Sequence, residues 1–362
     1  MKLLVLAQTP PPLHGQSLMV QMLVEGLPSH GIEVIHVQMR LSRTHAEIGR
    51  WSSVKMLHTI RAAFSAKRLA EQRNCDAIYY VPAPAKRGAF YRDLVVMGIC
   101  RSRKRSLVLH WHAVGLGEWL SNGATHLERS LALKALGTAD LSIVLAPELS
   151  ADAEVLAPRR VVVVPNGAPD PCPDLIERAS RRAPFEILFL GLGSREKGLG
   201  DTIEALEILN MRRPGAFRMT FAGNFPSERE HSSFQGRSAA SGGAIRYAGF
   251  VDEAKKNELF TSADLFCFPT YYPHEGQPLA LIEALAHDLP IVTTKWRAIG
   301  SMLPSSNVWY VEPRKPSDLA AAIEAAAASP RPAGAMREHY LNRFTRESHL
   351  AAISESLRSL SP

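Results

Sequence analysis

The feature that most constrains this chain is the alternation of short apolar runs with helix-length amphipathic segments along most of its 362 residues. Runs of about four to eight apolar residues set between helical patterns mark β-α units, whose strands pair in parallel. The alternation forms two series. In the first, the pattern predicts strands over 2–7, 31–39, 76–81, 107–110, 139–145 and 160–165, and helices over 16–27, 54–73 and 88–100. A capping box, Thr125-His126-Leu127-Glu128, opens a further helix. Between 166 and 184 the pattern stops in a segment rich in proline, alanine and charge, which reads as an interdomain linker. The second series predicts strands over 185–191, 217–222, 244–250, 264–268, 290–294 and 308–311. Its helices are predicted over 201–211 and 317–328, with a final one over 338–360. The expected division is a domain over 1–167, a linker over 168–183 and a second domain over 184–337.

The most informative stretch runs from Phe268 to Thr294, from the end of one strand to the end of the next. Its polar, aromatic loop is expected to turn into a helix at Pro278, because proline at the first helical position lacks only an N–H that would have no partner anyway. The loop then aims free N–H groups and the positive end of a helix dipole at the carboxyl edge of a sheet, a site suited to a phosphate or diphosphate. Glu275 and Glu283 bracket that site. Were all the intervening residues helical, the two would stand roughly 12 Å apart along the axis. A retaining glycosidase pair needs about 5–5.5 Å, so these carboxylates suit the two ends of an elongated ligand better than acid–base work on one bond. A surface or capping role is the plainer reading of a helical glutamate. Glu283, however, sits among Ile282, Ala284 and Leu285, and a buried carboxylate needs a partner.

Three other places carry candidate chemistry. The loop Gly191-Leu192-Gly193-Ser194-Arg195-Glu196-Lys197-Gly198 joins a strand to a helix, so Lys197 and glycine-lined backbone, Gly193 included, can meet a phosphate together. It is not the dinucleotide fingerprint, since the third glycine is displaced, and a solvated lysine is the alternative. His14-Gly15-Gln16-Ser17 occupies an equivalent place in the first series; Gly15 would let backbone approach a ligand, or the segment is simply a proline-stiffened turn with a cap. His110-Trp111-His112 ends a strand. We read His112 as a hydrogen-bonding group in a cleft and His110 as structural; without a carboxylate cluster the pair makes no metal site.

Composition narrows the partners. The formal charge is +7, which suits an acidic partner such as nucleic acid, anionic lipid or a phosphate-bearing substrate. Aromatic residues are only 7% and no nucleic-acid motif accompanies the charge, which disfavours nucleic acid. The basic run Arg101-Ser102-Arg103-Lys104-Arg105 and the basic helix over 54–73 suit either a solvated helix face or an anionic membrane surface. The four cysteines, Cys75, Cys100, Cys172 and Cys267, are scattered and suggest a reducing compartment. The apolar run after Met1 is too short for a signal peptide or a span, so a cytoplasmic location is expected, with peripheral contact at the inner membrane face as its extension.

Taken together, these residues resemble glycosyltransferase family 4, the retaining, nucleotide-sugar-dependent enzymes of the GT-B fold. The resemblance covers essentially the whole chain. Its most specific part is the E-x7-E motif from Glu275 to Glu283, followed by the continuation Glu283-Ala284-Leu285-Ala286-His287-Asp288-Leu289-Pro290-Ile291-Val292. It implies an α/β protein of GT-B architecture, two Rossmann-like domains facing across a cleft that closes on the donor, with the final helix, about 338–362, packing back on the first domain. By the same resemblance Glu275 holds hydroxyls of the donor sugar, Glu283 holds the ribose, and the backbone of Gly276, Gln277, Pro278 and Leu279 meets the diphosphate. Lys197 matches the phosphate-binding lysine, Gly15 the glycine loop, His112 the histidine near the reacting sugar, and Val164-Pro165-Asn166-Gly167 the domain junction. Two departures stand out: Leu192 occupies the place of a frequent arginine, and Gly276-Gln277-Pro278 replaces G-F-G, losing one N–H.

The resemblance implies transfer of a sugar from a nucleotide-diphosphate sugar to a hydroxyl acceptor, a lipid-linked or polysaccharide precursor, without a metal or other cofactor. The chain has no D-x-D motif. Two alternatives are a nucleotide-sugar epimerase on the same fold and a non-catalytic nucleotide-sugar-binding protein.

Overall fold

The structure is a computed structural model and describes residues 1–39, 53–171 and 183–360. The expected linker therefore lies largely outside the described residues, as does Cys172. The chain divides into two compact units. The first comprises Met1–Gly167, Pro273–Gln277 and Arg346–Pro362; the second comprises Ala168–Tyr272 and Pro278–Thr345.

The first unit opens with β1 (Lys2–Ala7), α1 (Gly15–Gly26), β2 (Glu33–Gln38) and α2 (Ser53–Gln72). It continues through β3 (Ala77–Tyr80), α3 (Arg87–Cys100), β4 (Ser106–Trp111), α4 (Leu116–Asn122) and α5 (His126–Ala135). β5 (Leu141–Val144), α6 (Ser150–Glu154) and β6 (Val161–Val163) close this run. The second unit alternates β7 (Phe185–Leu190), α7 (Leu199–Arg212), β8 (Phe217–Ala222), α8 (Glu228–Ala240), β9 (Ile245–Gly249) and α9 (Glu253–Ser262). It then runs through β10 (Leu265–Phe268), α10 (Leu279–Ala286), β11 (Ile291–Thr293), α11 (Ile299–Met302), β12 (Val308–Tyr310), α12 (Pro316–Ala328) and α13 (Ala335–Arg343). The last helix, α14 (Arg346–Arg358), belongs to the first unit.

Each unit holds one six-stranded parallel sheet, in the orders β2-β1-β3-β4-β5-β6 and β12-β11-β10-β7-β8-β9. In both, the chain first builds outward from its opening strand and then returns to that strand's other flank. The strand order therefore reverses between β1 and β3, and again between β7 and β10. In open α/β sheets the carboxyl ends at such a switch are where ligands bind, because the loops there diverge and leave a crevice.

Period two along β1 explains how the first sheet is covered. Leu4 and Leu6 face one core with Ile78, Tyr80 and helices α2, α3 and α5. Leu3 and Val5 face the other with Tyr79, Val108 and residues Leu350, Ile353 and Leu357 of α14. The capping box at Thr125 forms as expected, with Glu128 reaching back to the Thr125 amide at 2.8 Å.

Two expectations are corrected. The final helix is not continuous over 338–360: it breaks at Phe344 and Thr345 into α13 and α14. Phe344 is fully buried and leaves helical geometry, its carbonyl accepts from the Ala168 amide, and Thr345 bridges to Ala168, so tertiary pairing outcompetes helix continuation there. Pro278 is not the first helical residue. It is the cap residue, with ψ 121, and its carbonyl accepts from Leu281 N–H.

Candidate functional site

In the first unit, candidate residues gather at the carboxyl edge of the sheet. Gly15 is the first residue of α1, exposed, and absent from the positive-φ glycines. It is therefore an ordinary helix start rather than a left-handed hinge in a loop. His14 caps the helix: its side chain accepts from Ser17 N–H and Ser17 Oγ accepts from the His14 amide.

His112 follows β4. Its ring lies 4.1 Å from that of His110, which stacks at 6.2 Å on His349 from α14. His110 Nδ1 is hydrogen-bonded to the Tyr79 hydroxyl, and His349 Nδ1 donates to the Pro165 carbonyl. The Nε2 atoms of all three histidines are covered and make no hydrogen bond among the described residues. Burial, followed by the nearby rings of His349 and His14, depresses the His112 pKa to about 3. Burial brings His349 down to about 4 despite its carbonyl partner. At neutral pH His112 is thus an uncharged imidazole rather than a cation.

The segment Pro273–Gln277 belongs to this unit because it packs along the loop after β4. His274 Nδ1 donates to the Val114 carbonyl at 2.9 Å. Gly276 lies against the His112 carbonyl so closely that a Cβ there would overlap it. Gln277 Oε1 accepts from the Asn166 amide at 2.6 Å, and Asn166 Nδ2 donates to the Gln277 carbonyl at 3.0 Å. Asn166 of the expected junction motif is therefore the anchor of the glutamate loop. From the other side, Asp152 accepts from the amides of Gly117 and Glu118 at 2.8 and 3.1 Å, and also from that of Gly115. It thereby occupies the N-terminus of α4 and holds the loop that carries His112. Glu275 is buried within this arrangement, 7% exposed.

In the second unit, candidate residues gather where the strand order reverses. Lys197 Nζ stands 5.3 Å from the centre of the Phe268 ring and 5.0 Å from that of Tyr272, at the end of β10. Its place is set by backbone: the Glu196 carbonyl accepts from the Tyr271 amide at 2.8 Å, and Gly198 packs so closely on Pro269 that no side chain fits. Gly198 also has φ +83, the left-handed region where glycine is favoured. The segment after β10 is fastened in turn by Thr293, Thr294 and Trp296, which donate to the carbonyls of Phe268, Thr270 and Tyr272.

Glycine lines this edge, but not as the spacing alone suggested. The Gly193 amide donates to the Asn224 carbonyl at 2.8 Å, so that amide is already used, and a side chain at Gly193 would run into Phe225 and Phe221. By contrast, the Leu279 and Ala280 amides at the start of α10 find no acceptor among the described residues, as expected in a first turn. These two N–H groups and the Lys197 side chain are the groups of this edge whose chemistry could hold an anion.

Glu283 has the partner its apolar surroundings demanded, and it is Lys256 of α9, at 2.5 Å. Their side chains are 17% and 11% exposed. Burial raises the Glu283 pKa, with Lys256 opposing. Burial also pulls Lys256 down, but Glu283 and Glu253 together leave it above an ordinary lysine. The charged pair is therefore the ground state. Sequence reasoning passed over Lys256, Asn166's bonding role, Asp152 and Gly223. Gly223 alone carried a local signal: a glycine at the end of β8, where a side chain would run into the Gly191 carbonyl. Among the described residues, no group of three His, Cys, Asp or Glu side chains is arranged to hold a metal ion.

Two parallel six-stranded sheets with flanking helices, each with one reversal of strand order, are the two Rossmann-like domains of GT-B glycosyltransferase structures. The chain superimposes on sucrose-phosphate synthase from Thermosynechococcus elongatus with a TM-score of 0.76 at 18% identity, covering 99% of both chains. It superimposes on Anabaena HepE in complex with UDP with a TM-score of 0.71 at 18% identity, covering 99% of this chain and all of that one. Residues 184–329 match the family model described as Glycosyl transferases group 1. Glycogen synthase of Mycobacterium tuberculosis is 29% identical over 189 residues, which is 51% of this chain and 45% of that protein. The chain thus spans less than half the length of that curated relative.

Proposed function

We propose that this protein is a retaining glycosyltransferase of family 4, moving a sugar from a nucleotide-diphosphate sugar to a hydroxyl acceptor. The observation that carries the reading is the placement of Lys197. A cation is held by backbone at the strand-order reversal of the second sheet, in the same unit as the unpartnered amides that open α10. These elements suit a diphosphate, and the match over residues 184–329 covers all of them. The UDP complex of HepE supports testing uridine donors first.

In this reading Lys197 and the Leu279 and Ala280 amides stabilise charge as it grows on the leaving diphosphate, the dominant contribution available to such a site. Glu283 takes the ribose hydroxyls while held by Lys256. Glu275 and His112, brought together in the first unit through Gly276, orient the transferred sugar. The bond from the anomeric carbon to the diphosphate oxygen breaks as a bond to the acceptor oxygen forms on the same face. The acceptor proton passes to the departing phosphate oxygen, so no protein base and no metal is required. A lipid-linked or polysaccharide precursor is the proposed acceptor, met in the cytoplasm at the inner membrane face. No helix among the described residues is long and apolar enough to cross a membrane.

The test is incubation with UDP-, GDP- and ADP-sugars and a panel of hydroxyl acceptors, reading nucleoside diphosphate release and the anomeric configuration of the product by NMR. A product with the donor's configuration supports the proposal, and an inverted product refutes retention. Epimerised donor without acceptor points to the epimerase, and tight nucleotide binding without turnover points to a binding protein.

A further inference from the structure

The opposite edge of the first sheet holds a second charged feature that the reaction does not use. A cavity of about 1250 Å³ opens at the amino ends of β3, β4 and β5. Among the described residues, Arg101, Arg103, Lys104, Arg105, Lys134 and Arg159 line it, against only Asp76 and Asp140. It lies about 20 Å from His112, since β4 spans the sheet between them and strands rise about 3.3 Å per residue. We propose that this cavity is a binding site for a phosphoryl anion, distinct from the donor site.

The lining charges divide by what they already do. Asp76 accepts from the Lys2 amide at 2.7 Å. Asp140 accepts from the Leu107 amide at 2.8 Å and from Arg159 at 3.0 Å. The two carboxylates are therefore engaged in joining strands, and one cation is offset. Arg101 is fastened to the carbonyls of Lys134 and Gly137, which fixes its guanidinium in the wall. Arg105 donates through one Nη to the Ala70 carbonyl at 3.0 Å, while its Nε is covered and has no acceptor. The side chains of Arg103, Lys104 and Lys134 have no polar partner among the described residues. A concave surface of one sign focuses potential and concentrates counter-ions of the other. Arginines fixed in the wall and lysines free at the rim are the combination that phosphate oxygens use: planar donors and mobile point charges. The cavity's concavity favours a compact phosphorylated group over a flat membrane surface. That group is either a free phosphorylated molecule or the head of a phospholipid.

The test uses the 362-residue chain with inorganic tripolyphosphate, titrated calorimetrically. Lys197→Ala, which removes the donor-site cation, is expected to keep binding at this cavity, with affinity falling as salt rises. Arg103→Glu with Lys104→Glu, both exposed and unpaired, should keep the melting temperature and weaken binding by roughly tenfold or more, because like charge replaces complementary charge. Lys134→Glu is the independent second variant, expected to weaken binding in the same direction. Flotation with phosphatidylcholine vesicles, with and without phosphatidic acid, separates the sources. Binding only to phosphatidic acid vesicles, competed by tripolyphosphate and lost in the charge reversals, assigns the site to a lipid head. Tripolyphosphate binding without vesicle binding assigns it to a free anion. Binding that follows Lys197 and ignores both charge-reversal variants, or no saturable binding of either probe, overturns the proposal.

Discussion

The backbone of Gly276 runs against the carbonyl of His112, leaving no room for a side chain at residue 276. This contact joins two candidate sugar-binding residues, because Glu275 is the neighbour of Gly276 and His112 owns the carbonyl. Gly276→Ala should therefore push the loop off the end of β4. The overpacking cost is about 1–3 kcal/mol. The expected result is a modest fall in melting temperature with a larger fall in transfer rate, while any nucleotide binding that depends on Lys197 persists. Unchanged turnover would sever Gly276 from the reacting sugar.

Lys197 lies against the rings of Phe268 and Tyr272 at 5.3 and 5.0 Å, so its ammonium is placed before any ligand arrives. Removing one preorganised charge from a developing anion costs about a hundredfold to a thousandfold in rate. Lys197→Ala should lower kcat/KM by that order with its melting temperature near wild type. Lys197→Arg should recover only part, since a planar fork does not occupy the same point. Steady-state kinetics with whichever nucleotide sugar supports transfer checks both.

The Lys256–Glu283 pair makes a stability prediction. Removing one partner of a largely buried pair leaves an uncompensated charge, at a cost of about 3–5 kcal/mol. Both side chains retain some exposure, which places the expected loss at the lower end. Lys256→Met should destabilise by about 3 kcal/mol, and adding Glu283→Gln should restore most of it. Urea denaturation of the two single variants and the double gives the coupling. Additive losses would show that the two groups do not depend on each other.

The histidine stack makes the first unit sensitive to acid. An unfolded histidine titrates near 6.5, whereas burial holds His112 near 3 and His349 near 4. The folded state therefore binds fewer protons than the unfolded one below about pH 6.5. Stability is complete above that value and falls as pH drops toward 4, by up to about 1.4 kcal/mol per pH unit for each histidine. His349→Asn, which can keep the bond to the Pro165 carbonyl without titrating, should flatten the slope. Thermal unfolding followed between pH 7 and pH 5, values chosen about the ordinary histidine pKa, decides it, and an unchanged slope would remove His349 from the account.

Much of the fold was legible in the sequence, because the period of apolar residues reports which face is buried and so whether a segment is strand or helix. The strands of both sheets follow from runs such as Leu3-Leu4-Val5-Leu6. Lys197 and the E-x7-E glutamates could be picked out as candidates, since loop chemistry between a strand and a helix is local. What the sequence could not decide is which distant groups satisfy the buried polar ones. Lys256 meets Glu283 from 27 residues away, and Asn166 meets Gln277 from 111 away. Nor could it decide that the chain would break its last helix at Phe344, or that Pro273–Gln277 would join the first unit. Periodicity records how each residue is buried, one at a time. Pairing depends on where two elements meet once every strand has found its place in the sheet, and only the tertiary structure holds that information.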